Sequence, residues 1–255
     1  LKCAECIVGK VGKITVVDMA PRILPSILDS EGAEIVMKHL ESKGMEFILD
    51  DSAAEFTEGS AVLKSGRTVD FDLLVIAVGV RPNISLVSEC GGKVNRGIVI
   101  NDRCETSIPD IYSAGDCSEG FDSALGEQRI LAILPNAYMQ GFVAGVNMAG
   151  GDAVHEKAIP MNAIGLCGLH VITAGVYDGE SFVRRDGENY KALFYKDNLL
   201  KGFILIGDVA RAGIYTSLIR EKTPLDSLDF ELIKERPQLM AFARSTRRAL
   251  LGELR

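Results

Sequence analysis

Two acids in this chain stand where acids can do binding chemistry. Asp18 closes the apolar run Ile14-Thr15-Val16-Val17, and Asp116 follows Ile111-Tyr112-Ser113-Ala114-Gly115. An acid at the carboxyl end of a sheet strand can accept hydrogen bonds from sugar or ribityl hydroxyls, and open α/β sheets bind ligands along that edge. Gly115 adds a stretch of bare main chain that a ligand can approach closely. From the dodecamer 106–117 alone, a surface turn after a buried strand is the competing reading. The cysteines are less promising. Cys3 and Cys6 form a C-x-x-C, which invites a redox or metal reading. They lie on one face of a predicted helix with no second pair nearby, so small, buried, apolar thiols and no metal site are expected. Cys104 and Cys117 have no partner at redox-dithiol spacing. Cys167 and His170 sit in an apolar run, where a buried thiol and a hydrogen-bonded histidine are expected rather than ligands.

The elements that must position these residues follow from periodicity. Leu1 to Val8 is apolar at helical spacing, Gly9 to Gly12 punctuates it, and a buried strand runs from Ile14 into Asp18. Helix, turn and acid-terminated strand are the tail of a dinucleotide-binding βαβ unit, with the acid receiving adenosine ribose hydroxyls. The first strand and its Gly-rich turn belong before Leu1, so a fragment is expected. Ser30 to Lys43 reads as an amphipathic helix capped by Gly44, Met45 to Leu49 as a strand, and Phe56 to Leu63 with Val69 as hairpin strands around Ser65-Gly66-Arg67. Leu73 to Gly79 is a second unbroken apolar strand, continuing into Val80-Arg81-Pro82-Asn83. Residues 121–129 read as a polar loop. A helix then runs from Leu134-Pro135-Asn136 to about Asn147, with small residues at 137, 141, 144 and 145. Pro135 suits its first turn, whose unpaired N–H groups form a positive end.

Beyond a break at Gly150-Gly151-Asp152 come strands at 161–164 and 170–173, then a hairpin of 190–195 and 200–208 around Asp197-Asn198. A helix is expected over about 210–221. Gly207-Asp208 reads as structural, since no phosphate-type loop adjoins it. The segment 228–255 is amphipathic and mostly basic, with Lys234, Arg236, Arg244, Arg247, Arg248 and Arg255. It reads as a solvated terminal helix or as a docking site for an acidic electron-carrier protein. The totals fit a globular protein: 255 residues, 47% hydrophobic and 25% charged. A net charge of −7 argues against non-specific nucleic-acid binding. No apolar run reaches the roughly 18 residues of a membrane helix, no secretory leader is visible, and a reducing cytoplasm is expected.

Several of these stretches resemble the pyridine-nucleotide disulfide oxidoreductase superfamily. Residues 106–117 resemble its second FAD-contacting motif, and Asp18 to Pro25 its acid-x-x-x-Arg-x-Leu-Pro run. Ala77 to Asn83 resembles its A-x-G-x-x-P-N signature. Residues 196–225 are similar to the small C-terminal domain of NADH:rubredoxin reductases and nitrite reductase large subunits. The resemblance implies an α/β fold of Rossmann-like FAD- and NAD(P)-binding lobes, N-terminally truncated, plus a small α+β C-terminal domain. It divides the chain into a truncated NAD(P)-binding domain (1–82), the C-terminal half of an FAD-binding domain (83–151), a small α+β domain (152–226) and a basic helical tail (227–255). FAD and NAD(H) are the implied cofactors. Asp18, Arg22, Ala77, Gly79, Arg81, Gly115, Asp116, Leu134, Pro135 and Asn136 are the implied cofactor-binding residues, and no catalytic side chain is assigned. In that family the helix end at Leu134 faces the pyrimidine edge of the flavin. The implied activity passes a hydride from NADH to FAD and electrons on to a rubredoxin-like protein, oxygen or a disulfide, with a homodimer compatible. The alternative is a non-catalytic piece that packs with a partner supplying the missing dinucleotide-binding segments. Repulsion between Asp18 and a 2′-phosphate further implies NADH over NADPH.

Overall fold

A computed structural model describes residues 1–243. The chain opens with α1 (Lys2–Ile7) and reaches β1 (Ile14–Val17), which pairs in parallel with β2 (Met45–Ile48). Between them lies α2 (Ser30–Ser42), started by Asp29, whose Oδ1 accepts the Gly32 N–H at 2.8 Å. The chain leaves this helix through Gly44 at φ +90°, a conformation that favours glycine. Three short antiparallel strands follow, β3 (Ala53–Phe56), β4 (Ser60–Leu63) and β5 (Thr68–Asp70). Next come α3 (Ser85–Ser88), β6 (Ile98–Val99), β7 (Ser118–Asp122) and β8 (Glu127–Arg129). β7 pairs in parallel with β6 and antiparallel with β8. α4 (Leu134–Met148) then covers this lobe through Val143 and Ala144, which pack with Val87, Ile98 and Ile100.

The C-terminal third is a five-stranded antiparallel sheet in the order β11-β12-β13-β10-β9, formed by β9 (Met161–Leu166), β10 (Leu169–Gly175), β11 (Glu180–Asp186), β12 (Asn189–Lys196) and β13 (Leu199–Ile206). The apolar run at the end of β13 is unbroken because both sheet faces are covered. Ile204 and Ile206 meet Ile35, Val36 and Leu40 of α2 on one side. Phe203 and Leu205 meet Tyr215 and Leu218 of α5 (Ala212–Arg220) on the other. Gly175 opposes Gly202 across β10 and β13, where a Cβ at Gly175 would lie 2.0 Å from the Lys201 carbonyl oxygen. Only glycine allows that approach. The sheet also holds the N-terminal lobe through polar contacts: Tyr190 OH donates to Asp29 Oδ2 at 2.6 Å, and His39 lies 2.9 Å from Glu188 and 3.1 Å from the Cys167 carbonyl oxygen.

Several expectations from the sequence are corrected. Residues 73–79 form no strand: no described residue pairs with them, and Leu73, Ile76 and Val78 are exposed. A doubly apolar strand requires cover on both faces, and none is present among the described residues. Residues 111–114 carry a single antiparallel bridge, Tyr112 with Glu105, in place of the expected strand. The polar loop 121–129 is a hairpin, because Asp122 Oδ1 accepts the Ala124 N–H at 2.9 Å and closes a turn between β7 and β8. Cys3 and Cys6 are exposed, since α1 buries none of its residues. His170 is exposed as well, and Cys167 is half-buried in the β9–β10 turn. The tail is not one long helix within the described residues. A 3-10 turn (Leu225–Ser227), α6 (Phe230–Glu235) and a second 3-10 turn (Leu239–Ala241) fold back on the sheet. There Tyr215 OH donates to the Ile233 carbonyl oxygen at 2.8 Å, and Lys191 Nζ donates to the carbonyls of Lys234 and Glu235, at the negative end of α6. Arg244, Arg247, Arg248 and Arg255 lie outside the described residues.

Candidate dinucleotide-binding site

Asp18 sits where its sequence position predicts, at the carboxyl end of a parallel strand. Its N–H donates to the Ile48 carbonyl oxygen at 3.0 Å, extending the β1–β2 ladder by one residue. Its Oδ1 accepts the Ala20 N–H at 2.9 Å, which fixes the carboxylate on an exposed rim. Arg22 is turned back on its own loop, with contacts of 3.4 Å to the carbonyl oxygens of Leu28 and Pro25. A cleft of about 280 Å³, lined by Pro21, Arg22, Ala33, Met37 and Leu49 among others, opens beside it. At the same end of the lobe, Asp51 binds the Ser65 hydroxyl and the N–H groups of Ser52 and Ser65. The Ser65 hydroxyl is the main cause of its carboxyl lying below the usual range. Ala77, Gly79 and Arg81 are all exposed along the unpaired segment.

Asp116 is placed differently from the expectation. It occupies the turn leading into β7, closed by the Ser118 N–H donating to the Gly115 carbonyl oxygen at 2.9 Å, and is not at the carboxyl end of a paired strand. What the structure does bring together is this turn and the start of α4. Gly115 takes φ +85°, and a Cβ there would lie 3.6 Å from the Ala137 Cβ in the first turn of α4. The N-cap residue Ile133 offers no side-chain acceptor, and no acid occupies that first turn. Leu134 and Pro135 are exposed there. The Asn136 side chain is buried; its Nδ2 donates to the Leu131 carbonyl oxygen at 3.0 Å, and its Oδ1 faces His155 Nε2 at 2.9 Å. Burial holds His155 below the usual histidine range. Burial also pushes the Cys104 thiol up to about 11, which leaves it unreactive.

Asp18 offers an acceptor fixed by the Ala20 N–H, and the Gly115-Asp116 turn lies against the first turn of α4, which carries no acid and no side-chain cap of its own. Gln140 and Glu119 were missed in the sequence because neither belongs to a glycine or acid pattern. Buried Glu119 accepts the Gly97 N–H at 3.0 Å and Asn95 Nδ2 at 3.2 Å, and ties the segment before β6 to β7. Gln140 accepts the Gly115 N–H at 2.8 Å.

The chain is thus an α/β protein with a parallel edge ending in an acid, a Gly-Asp turn seated on a helix start, and an antiparallel C-terminal sheet. Comparison with known families carries this further. Residues 1–141 match pyridine nucleotide-disulphide oxidoreductase, and residues 160–223 match the rubredoxin NAD+ reductase C-terminal domain. The chain belongs to the pyridine nucleotide-disulphide oxidoreductase family, whose cofactors are FAD and NAD(H). It is 40% identical over 144 residues to an NADH oxidase of Methanocaldococcus jannaschii, covering 55% of this chain and 32% of that protein. It is 31% identical over 210 residues to a rubredoxin-NAD(+) reductase of Acinetobacter baylyi, covering 78% and 51%. Among solved structures, a FAD-dependent pyridine nucleotide-disulphide oxidoreductase from Desulfovibrio vulgaris superposes with a TM-score of 0.82 at 21% identity, covering 99% of this chain and 68% of that one. The chain thus spans about a third to a half of these curated relatives. No described helix is long and apolar enough to cross a membrane.

Proposed function

We propose that the protein of which this chain forms part is a flavoprotein oxidoreductase that takes a hydride from NADH onto FAD and passes electrons to an acceptor. The observation that carries the reading is the presence, in one chain of this family, of Asp18 on a parallel strand edge and of Gly115-Asp116 against the start of α4. Bound FAD supplies the redox chemistry, and the protein supplies position and electrostatics. Asp18 holds the adenosine ribose of NADH, with Arg22 shaping the loop behind it. Asp116 accepts from ribityl hydroxyls, and Gly115 lets the ligand approach the main chain. The N–H groups around Leu134 and Asn136 favour negative charge beside them by about 0.3–1 kcal/mol, rising to ~2 when partly buried. Pro135 starts that helix without losing a donor. Ala77, Gly79 and Arg81 are assigned to the cofactor face, where the nucleotide lobe (1–82) leads into the flavin lobe (83–151). The small domain (152–226) and tail (227–255) complete the division.

A rubredoxin-like carrier is the acceptor most in keeping with the match over residues 160–223, with oxygen or a disulfide as competitors. Steady-state NADH oxidation by the intact gene product with each acceptor tests this. Rates dominated by the iron carrier support it, and rates dominated by oxygen or a disulfide replace it. The exposed apolar segment 73–80 and the exposed outer face of α4 favour a second reading, a piece that works only when packed with a partner supplying further dinucleotide-binding segments. A purified intact protein that is yellow, with about one FAD per chain, supports the first reading. A colourless one that takes up flavin only with a second polypeptide supports the other.

A further inference from the structure

α4 turns an unusual face inward. Asn136, Gln140 and Asn147 are buried, whereas Leu134, Tyr138, Phe142 and Met148 on its other side are exposed. Each buried amide grips a different loop. Asn147 donates to the carbonyls of Arg103 and Ala153 and accepts the Ala153 N–H, all far along the helix from Asp116. Gln140, only 3% exposed, reaches the Gly115-Asp116 turn. Its Oε1 accepts the Gly115 N–H at 2.8 Å, and its Nε2 lies over Gly120, where a Cβ would approach it to 3.1 Å. Gly120 therefore leaves room for this side chain, and the main chain of Gly115 is what it holds.

We infer that Gln140 is a positioning residue for the flavin: its bond to Gly115 holds the Asp116 carboxylate in register with the start of α4, so that both bear on the same bound group. The inference rests on the flavin reading above. Gly115 has the backbone freedom of a glycine at positive φ. Without its acceptor the turn samples other conformers, and binding must then meet the cost of ordering Asp116. Leucine or methionine at 140 removes the acceptor, whereas glutamate keeps one.

The test is made on the intact gene product stripped of flavin and titrated with FAD, following protein and flavin fluorescence, with no turnover involved. Gln140→Leu and the near-isosteric Gln140→Met are expected to raise the Kd for FAD tenfold or more. Gln140→Glu is expected to stay within threefold of wild type. Asn147→Leu, which removes a buried amide from the same helix face, is expected to lower Tm and leave the Kd within threefold. Either acceptor-free variant binding FAD within twofold of wild type would overturn the inference, as would an Asn147→Leu loss as large as that of Gln140→Leu. Those results leave the flavin reading standing, whereas wild-type protein that binds no FAD removes both.

Discussion

Replacing Asp18 by asparagine tests the nucleotide edge most sharply. A unit charge about 4 Å from a carboxylate is repelled by about 1 kcal/mol in bulk water and about 4 kcal/mol at an effective dielectric of 20. Asp18 lies on an exposed rim, which places it toward the screened limit, and a 2′-phosphate carries more than one charge. Arg22 cannot offset that repulsion cheaply, because its guanidinium faces the carbonyls of Leu28 and Pro25. Wild-type kcat/KM should therefore favour NADH over NADPH by about tenfold to a hundredfold. Asp18→Asn removes the repulsion and also weakens charge-assisted bonds to the ribose, each of which contributes about 1.5–3 kcal/mol. The NADH value should fall about tenfold or more while the NADPH value holds or rises, so that the preference largely disappears. Steady-state assays of the intact protein with both nucleotides supply the ratio. Repetition at 1 M salt, where the Debye length shrinks to about 3 Å, should also narrow the wild-type preference. A wild-type enzyme that uses both nucleotides equally, or a ratio indifferent to Asp18→Asn, would refute the placement of the ribose at this acid.

Three further outcomes are expected. Tyr190→Phe removes a buried hydroxyl bonded to the Asp29 carboxylate at 2.6 Å and should cost about 1.5–3 kcal/mol in denaturant unfolding, with m unchanged. Phe203→Ala hollows the sheet core at a fully buried position and should cost about 3–5 kcal/mol by the same measurement. Asp122 is buried, its Oδ2 lacks a hydrogen-bond partner among the described residues, and burial raises its carboxyl above the usual range despite Arg129 at 3.6 Å. The folded state therefore holds this proton more tightly than the unfolded state. Its contribution to stability is greatest below the unfolded value near 3.8 and declines as pH rises through the folded value. Asp122→Asn should accordingly raise Tm at pH 7, and the gain should vanish near pH 4; a Tm lowered at pH 7 would contradict this.

The sequence made legible those parts of the fold whose signals are local. Gly44 closes α2, Gly66 and Asp197-Asn198 mark hairpin turns, and an acid after a short apolar run marks the edge at Asp18. Cover was not legible. The run 73–79 has the composition of a buried strand, but composition does not say what lies on either side, and here no described residue pairs with it. The helical spacing of residues 1–8 likewise said nothing about burial, so the cysteines of α1 came out exposed. β11 escaped notice because Glu180, Arg184, Arg185 and Asp186 make an edge strand look like a loop. At the site, acids and glycines announced themselves, whereas Gln140 and Glu119 act through one backbone partner each and leave no pattern along the chain.

Anaerobic addition of one equivalent of NADH to the purified intact protein tests the central claim most directly. A chain that places a nucleotide ribose at Asp18 and a flavin at Gly115-Asp116 should lose its yellow colour within the mixing time. An Asp116→Ala protein, folded by its Tm, should retain little flavin to bleach. A yellow wild-type protein that NADH leaves unchanged, or an Asp116→Ala protein that keeps its flavin and bleaches at the wild-type rate, would contradict the account.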